Sequence, residues 1–172
     1  MVQRQKIEPN NFKKIIDAVY AFVDLPPRWD GEGAPKITFS AIKRAICLLF
    51  ALEEANLLIE EHSSWLYITK YSPITSEINS DNDEDEQQFP AVKFYGMSIC
   101  PSPDGGIAFD WSCHIAWTTV YIPPDVNGGI KYEGGYIEEK VSSPEWVTCD
   151  RGETFDYQEV VKAVYSNYAH CC

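Results

Sequence analysis

The chain has 172 residues, 45% hydrophobic and 13% aromatic, with 14 Lys and Arg against 26 Asp and Glu and a formal charge of −12. That length can bury one sizeable core, so a single domain over residues 1–172 is expected. The charge argues against direct binding to nucleic acid or to an anionic membrane, and it favours a partner with a basic face.

MVQRQKIEPNNF at the start lacks the apolar core of a signal peptide, and the longest apolar run, Ala45 to Leu52, is far short of a membrane span. The expectation is a soluble, cytoplasmic protein whose six cysteines, at 47, 100, 113, 149, 171 and 172, stay reduced. No C-x-x-C pair is present.

In chain order, Asn10 or Asn11 can cap a first helix running to about Val23, with Phe12, Ile15, Ile16, Val19 and Phe22 on one face. The prolines and glycines of Leu25 to Pro35 stop it. Thr38 is the expected cap of a second helix over 39–61, with apolar positions Ile42, Ala45, Ile46, Leu49, Leu52 and Ala55. The period then changes. Ser64 to Tyr71 predicts a strand, and the polar stretch near 76–89 predicts a mobile acidic loop. Ala91 to Ile99, Gly106 to Cys113 and Ile115 to Ile122 predict successive strands, and Pro123 to Gly129 a loop. Ile130 to Val141 predicts a hairpin turning at Gly134-Gly135, and Asp156 to His170 a closing helix. Two helices, an antiparallel meander and a last helix make an α+β fold.

Two motifs stand out: WDGEGA within Pro26 to Ala45, and PSPDGGIAFDW over Pro101 to Trp111. Together they resemble an uncharacterised family of small bacterial and phage proteins. The resemblance covers about thirty residues and implies no reaction and no catalytic residues. The acidic insertion and the extension beyond Tyr132 depart from the family's short members.

Turn chemistry accounts for both motifs. Asp104, Gly105 and Gly106 suit a tight hairpin turn needing positive φ, with Ile107, Phe109 and Trp111 on one strand face beyond it. A phosphate-binding loop would lead into a helix, not the strand read here. In the first motif Trp29 anchors an elbow, and Asp30, Gly31 and Gly33 form turns. The functional alternative pairs Asp30 with Glu32 as an acid/base couple or metal ligands.

The run Asp81, Asp83, Glu84, Asp85 and Glu86 fails as a calcium loop. Its sixth position is Glu86 where glycine is required, and its twelfth is Val92 where glutamate is required. Cys113 and His114 are adjacent on a predicted strand, so they face opposite ways and cannot act as a couple. His170, Cys171 and Cys172 are too few and too near the end to predict a zinc site. No cofactor and no metal are expected.

These features predict a non-enzymatic acidic protein that binds and inhibits a basic protein partner. A toxin, a nuclease or a bacterial or phage defence complex fits that description. The expected contact residues are Asp81, Asp83, Glu84, Asp85 and Glu86 with Glu133, Glu138 and Glu139. Two alternatives stay open. One is a small hydrolase using Asp30, Glu32, Asp104, Asp110 or Cys113. The other is a small-molecule sensor with an aromatic pocket of Trp29, Trp65, Trp111 and Trp117.

Overall fold

A computed structural model describes residues 5–60, 66–70, 90–94, 97–112, 115–139 and 144–168. Its order of elements is α+β: two helices, a seven-stranded antiparallel sheet and a last helix. The predicted loop near 76–89 lies outside the described residues, as do His62, Trp65, Cys113, His114, His170, Cys171 and Cys172.

Helix α1 (Pro9–Tyr20) starts earlier than the asparagines suggest, because Pro9 occupies its first turn and Glu8 is the cap residue. A proline there has its φ preset and lacks an N–H that would go unpaired anyway. A 3-10 turn, Ala21–Asp24, continues the helix to the prolines. Helix α2 (Phe39–Glu54) is capped by Thr38, whose side chain accepts from the Ala41 N–H at 3.1 Å.

The predicted second helix runs too far, to residue 61. The chain leaves it at Asn56, which is left-handed (φ 55). Asn56 N–H donates to the Glu53 carbonyl (3.0 Å) and Leu57 N–H to Leu52 (2.9 Å). This is a Schellman closure with asparagine in the place of the usual glycine. Leu57 and Leu58 are then buried, and β2 (Ile59–Glu60) pairs antiparallel with β1 (Gln5–Lys6). A short apolar run carries no period of its own, so the hydrophobic pattern alone does not mark where the helix ends.

The main sheet takes β3 (Tyr67–Thr69), β4 (Ala91–Phe94), β5 (Met97–Pro101), β6 (Ile107–Ser112), β7 (Ala116–Ile122), β8 (Ile130–Glu139) and β9 (Pro144–Thr154) side by side in chain order. Residues 91–99, predicted as one strand, are two paired strands with Phe94 opposite Met97. The expected turn at Gly134-Gly135 is also absent, because β8 runs straight through both glycines. The irregularity there is a bulge. Gly134 faces Asp150 and Gly135 faces Thr148, so Cys149 has no opposite residue. A side chain at Gly135 would run into the Val147 carbonyl and lie 3.1 Å from the Trp117 indole nitrogen. These glycines mark a close approach of strands.

Helix α3 (Tyr157–Tyr168) follows Asp156, whose carboxylate accepts from the Gln158 N–H at 2.8 Å. All three helices lie against one side of the sheet: α1 on α2 and β4, α2 on β6 and β7, α3 on β7, β8 and β9. That side presents Ile99, Ile107, Phe109, Trp111, Val120, Ile122 and Ile130, all buried. The alternating burial along β5, β6 and β7 is the period of a sheet with its core on one face. No helix of the described residues is long and apolar enough to cross a membrane.

Candidate functional site

The two sequence motifs meet at one end of the sheet. In the elbow, Asp30 turns its carboxylate back on its own loop. Oδ1 accepts from the N–H groups of Glu32 (3.0 Å), Gly33 (3.0 Å) and Ala34 (2.9 Å). Gly31 and Gly33 are both at positive φ (78° and 128°), which aims those amides at one point. The Ala34 amide lowers the Asp30 pKa most; partial desolvation works against it, and the Gly33 and Glu32 amides lower it further. Trp29 is buried in the core beside it, and Glu32 is exposed.

In the second motif, Ser102 N–H donates to Gly106 and Gly105 N–H to Ser102, each at 2.9 Å, closing the β5–β6 turn. Asp104 accepts from the Gly106 N–H at 3.1 Å and from the hydroxyl of Tyr121 on β7. Desolvation pushes the Asp104 pKa up. The bonds from Tyr121, Gly106 and the Ser102 side chain outweigh it, and the carboxyl sits below the usual range. Tyr121 is displaced upward, by burial first and then by the Asp104 carboxylate it bonds.

Gly105, at φ 92°, is pressed against the elbow. A Cβ there would lie 3.1 Å from the Lys36 carbonyl and 3.3 Å from the Pro35 ring. Its carbonyl accepts from Thr38 N–H (3.2 Å), and the Thr38 hydroxyl donates to Pro124 (3.0 Å). Nearly two turns along α2, Arg44 donates to the carbonyls of Asp125 (3.2 Å) and Gly128 (2.8 Å). Elbow, turn and the 123–129 loop are thus sewn to the start of α2. The carboxylates of Asp30 and Asp104 are engaged on either side of that seam, Asp30 within the elbow and Asp104 within the turn and with Tyr121.

Among the described residues, the sheet's other face carries no helix. β7 places Trp117, Thr119 and Tyr121 there, half-buried, and β6 places Asp110, whose carboxylate accepts from the Thr119 hydroxyl at 2.7 Å. Register brings in Lys131, Glu133 and Gly135 of β8, opposite Tyr121, Thr119 and Trp117. β9 adds Arg151 opposite Glu133 and Glu153 opposite Lys131. Lys93 of β4 falls on the same side, opposite Ser98. Between β7 and β9 this face forms an open trough of about 570 Å³, lined by Trp117, Thr119, Tyr121, Lys131, Glu133 and Arg151 among others. Glu153 is held by the Gly129 N–H at 3.0 Å. Lys131, Glu133 and Arg151 form no hydrogen bond or ion pair among the described residues.

Asp81, Asp83, Glu84, Asp85 and Glu86 lie outside the described residues. Glu133, Glu138 and Glu139 share one strand, yet Glu133 is five residues from Glu138, about 17 Å along it. Of the tryptophans of the sensor alternative, Trp65 lies outside the described residues, and Trp111 and Trp117 are on opposite faces of the sheet. Trp111 is buried on the helix side, stacked on Phe109 at 5.9 Å, whereas Trp117 is on the open side. Of the carboxylates of the hydrolase alternative, Asp30 and Asp104 are committed to different loops and Asp110 to Thr119. Among the described residues, no three of His, Cys, Asp and Glu are grouped to hold a metal ion. Cys47 and Cys100 are free thiols.

Sequence reasoning missed β9 and with it the charges on the open face. The alternation of Trp117, Thr119 and Tyr121 was readable from "AWTTVYI". "SPEWVTCDRGET" hides its alternation, because the bulge at Cys149 breaks the period. No family model matches the chain, and no curated protein or solved structure matches it significantly.

Proposed function

We propose that the protein is a non-enzymatic cytoplasmic binding protein that engages, and thereby inhibits, a basic protein partner. A toxin, a nuclease or a component of a bacterial or phage defence complex has that character. The observation that carries this reading is the far end of the β8–β9 hairpin, where Glu138 pairs with Glu145 in register and Glu139 is next to it. Three carboxylates of the acidic part of the chain thus fall at one end of the hairpin, and a basic partner complements that charge.

The charge distribution supports it. Residues 1–50 hold eight Lys and Arg against five Asp and Glu, whereas residues 51–172 hold six against twenty-one. A field of one sign over most of the chain steers a basic partner and accelerates encounter. The motif resemblance supports a bacterial or phage setting.

The test is capture from host lysate at low and high salt, followed by kinetics on the purified partner. The triple reversal Glu138→Lys, Glu139→Lys and Glu145→Lys should slow association at least about tenfold and flatten its salt dependence, with little change in dissociation. Unchanged, salt-independent association would sink the proposal. So would substrate turnover by the purified protein alone that is lost in Asp30→Asn or Asp104→Asn.

A further inference from the structure

On β8 and β9 the open sheet face holds four charges in a checkerboard. Lys131 stands opposite Glu153, and Glu133 opposite Arg151. Along each strand the sign alternates again, since Lys131 and Glu133, like Arg151 and Glu153, are two positions apart and share a face. Strand spacing makes this a square of about 5 by 7 Å. The square is neutral, on a chain of formal charge −12. Three of its four members make no bond among the described residues.

We infer that this face pairs with a second copy of the chain, sheet against sheet. The pattern is self-complementary under two-fold symmetry, which is what an isologous dimer requires. Consider an axis along the strands, midway between β8 and β9. It lays Lys131 over Glu153 of the second copy and Glu133 over its Arg151. An axis across the strands lays Lys131 over Glu133 and Glu153 over Arg151. Both superpose unlike charges throughout.

The surroundings suit such a contact. Trp117 lies over Gly135 and Tyr121 over Gly106, so both rings are lowered onto the sheet instead of standing above it. A Cβ at Gly106 would be 2.8 Å from the Tyr121 ring. The trough beside them, about 570 Å³, has room for the long stems of Lys131 and Arg151 from the opposite copy. Aligned packing of two sheets about 10 Å apart buries these aromatics. The charges set the register, and the aromatic area supplies the affinity. Elsewhere the acidic surfaces of two copies repel, and the neutral square is where they can approach. This inference is independent of the basic partner proposed above.

The test uses the full chain in sedimentation velocity at tens of micromolar and about 0.1 M salt, where the Debye length is about 10 Å. The unaltered protein should sediment at twice its 19.5 kDa chain mass. A basic-face variant, Glu133→Lys with Glu153→Gln, should be monomeric; the glutamine keeps a carbonyl for the Gly129 N–H. An acidic-face variant, Lys131→Glu with Arg151→Glu, should also be monomeric. Mixed, the two should form a one-to-one heterodimer. Should Glu153→Gln disturb folding by circular dichroism, Glu133→Lys alone serves as the basic-face partner. A monomeric unaltered protein, variants that still self-associate, or a mixture that stays monomeric would each overturn the inference.

Discussion

Thr38 donates its backbone N–H to the Gly105 carbonyl at 3.2 Å, joining two motifs that lie far apart in the chain. Its hydroxyl serves two further groups, accepting from Ala41 N–H and donating to the Pro124 carbonyl. One side chain therefore caps α2 and pins the loop between β7 and β8. Thr38→Ala should cost about 1–2 kcal/mol, the range of a lost helix cap. Thr38→Ser keeps the oxygen and should recover most of it. Chemical denaturation measures both, and equal stabilities for Ala and Ser would show that the hydroxyl is idle.

The turn at Gly105 and Gly106 should resist substitution for two different reasons. Gly105 is at φ 92°, where an L side chain is strained, so Gly105→Ala should cost about 1–2 kcal/mol. Gly106 has no such φ, but its Cβ would come within 2.5 Å of the Ile122 carbonyl and 2.8 Å of Tyr121. Backbone cannot yield as a side chain can, so Gly106→Ala should cost more, about 3 kcal/mol. The order of the two midpoints in urea checks this, and Gly105→Ala as the worse variant would contradict it.

The turn was legible in the sequence because Asp-Gly-Gly has few other uses between alternating apolar residues. The end of α2 was not, because Asn56 ends the helix by a left-handed φ and the apolar Leu57 and Leu58 follow at once. Gly134 and Gly135 misled for the opposite reason. A glycine pair signals a turn or a close approach, and only the position of Val147 and Trp117 decides which. The open face depends on register between β8 and β9, and no local pattern encodes how far one strand slides past its neighbour.

Tyr121 and Asp104 should mark both limbs of the pH–stability curve. The folded-state pKa of Asp104 is lowered, so its contribution is present above the unfolded value of about 4 and is lost as pH falls through the folded one. The pKa of Tyr121 is raised, so its contribution is present below about 10 and is lost as pH rises through the folded value. Asp104→Asn should flatten the acid limb in part, with Asp30 supplying the remainder. Tyr121→Phe should flatten both limbs. Thermal melts between pH 2 and about 11 would reveal it, and an acid limb untouched by either change would refute the assignment.

Accessibility should separate the free thiols Cys47 and Cys100. Cys47 is exposed on α2, whereas Cys100 is half-buried on β5, with the Ser98 hydroxyl 3.3 Å from its sulfur. A maleimide added to the native protein should modify Cys47 at least about tenfold faster, since thiol reactivity follows access and thiolate fraction. Peptide mass spectrometry at short times distinguishes them, and equal labelling would mean that β5 opens readily.

Trp111 and Trp117, six residues apart, should behave as residues of two different environments. Trp111 is 6% exposed and stacks on Phe109 within the core. Trp111→Ala removes a large ring from a packed layer that cannot close over the void, at a cost of about 3–5 kcal/mol. Trp117 is half-buried on the open face, where its ring shields the backbone at Gly135. Trp117→Ala should cost under about 2 kcal/mol, because solvent can replace most of what is lost. Acrylamide should quench the fluorescence of Trp117 more strongly than that of Trp111, read by difference between the two variants. Self-association should also weaken in Trp117→Ala and persist in any Trp111 variant that still folds. Equal destabilisation with equal quenching would show that the two rings share one environment, and the division of the sheet into a covered and an open face would then be wrong.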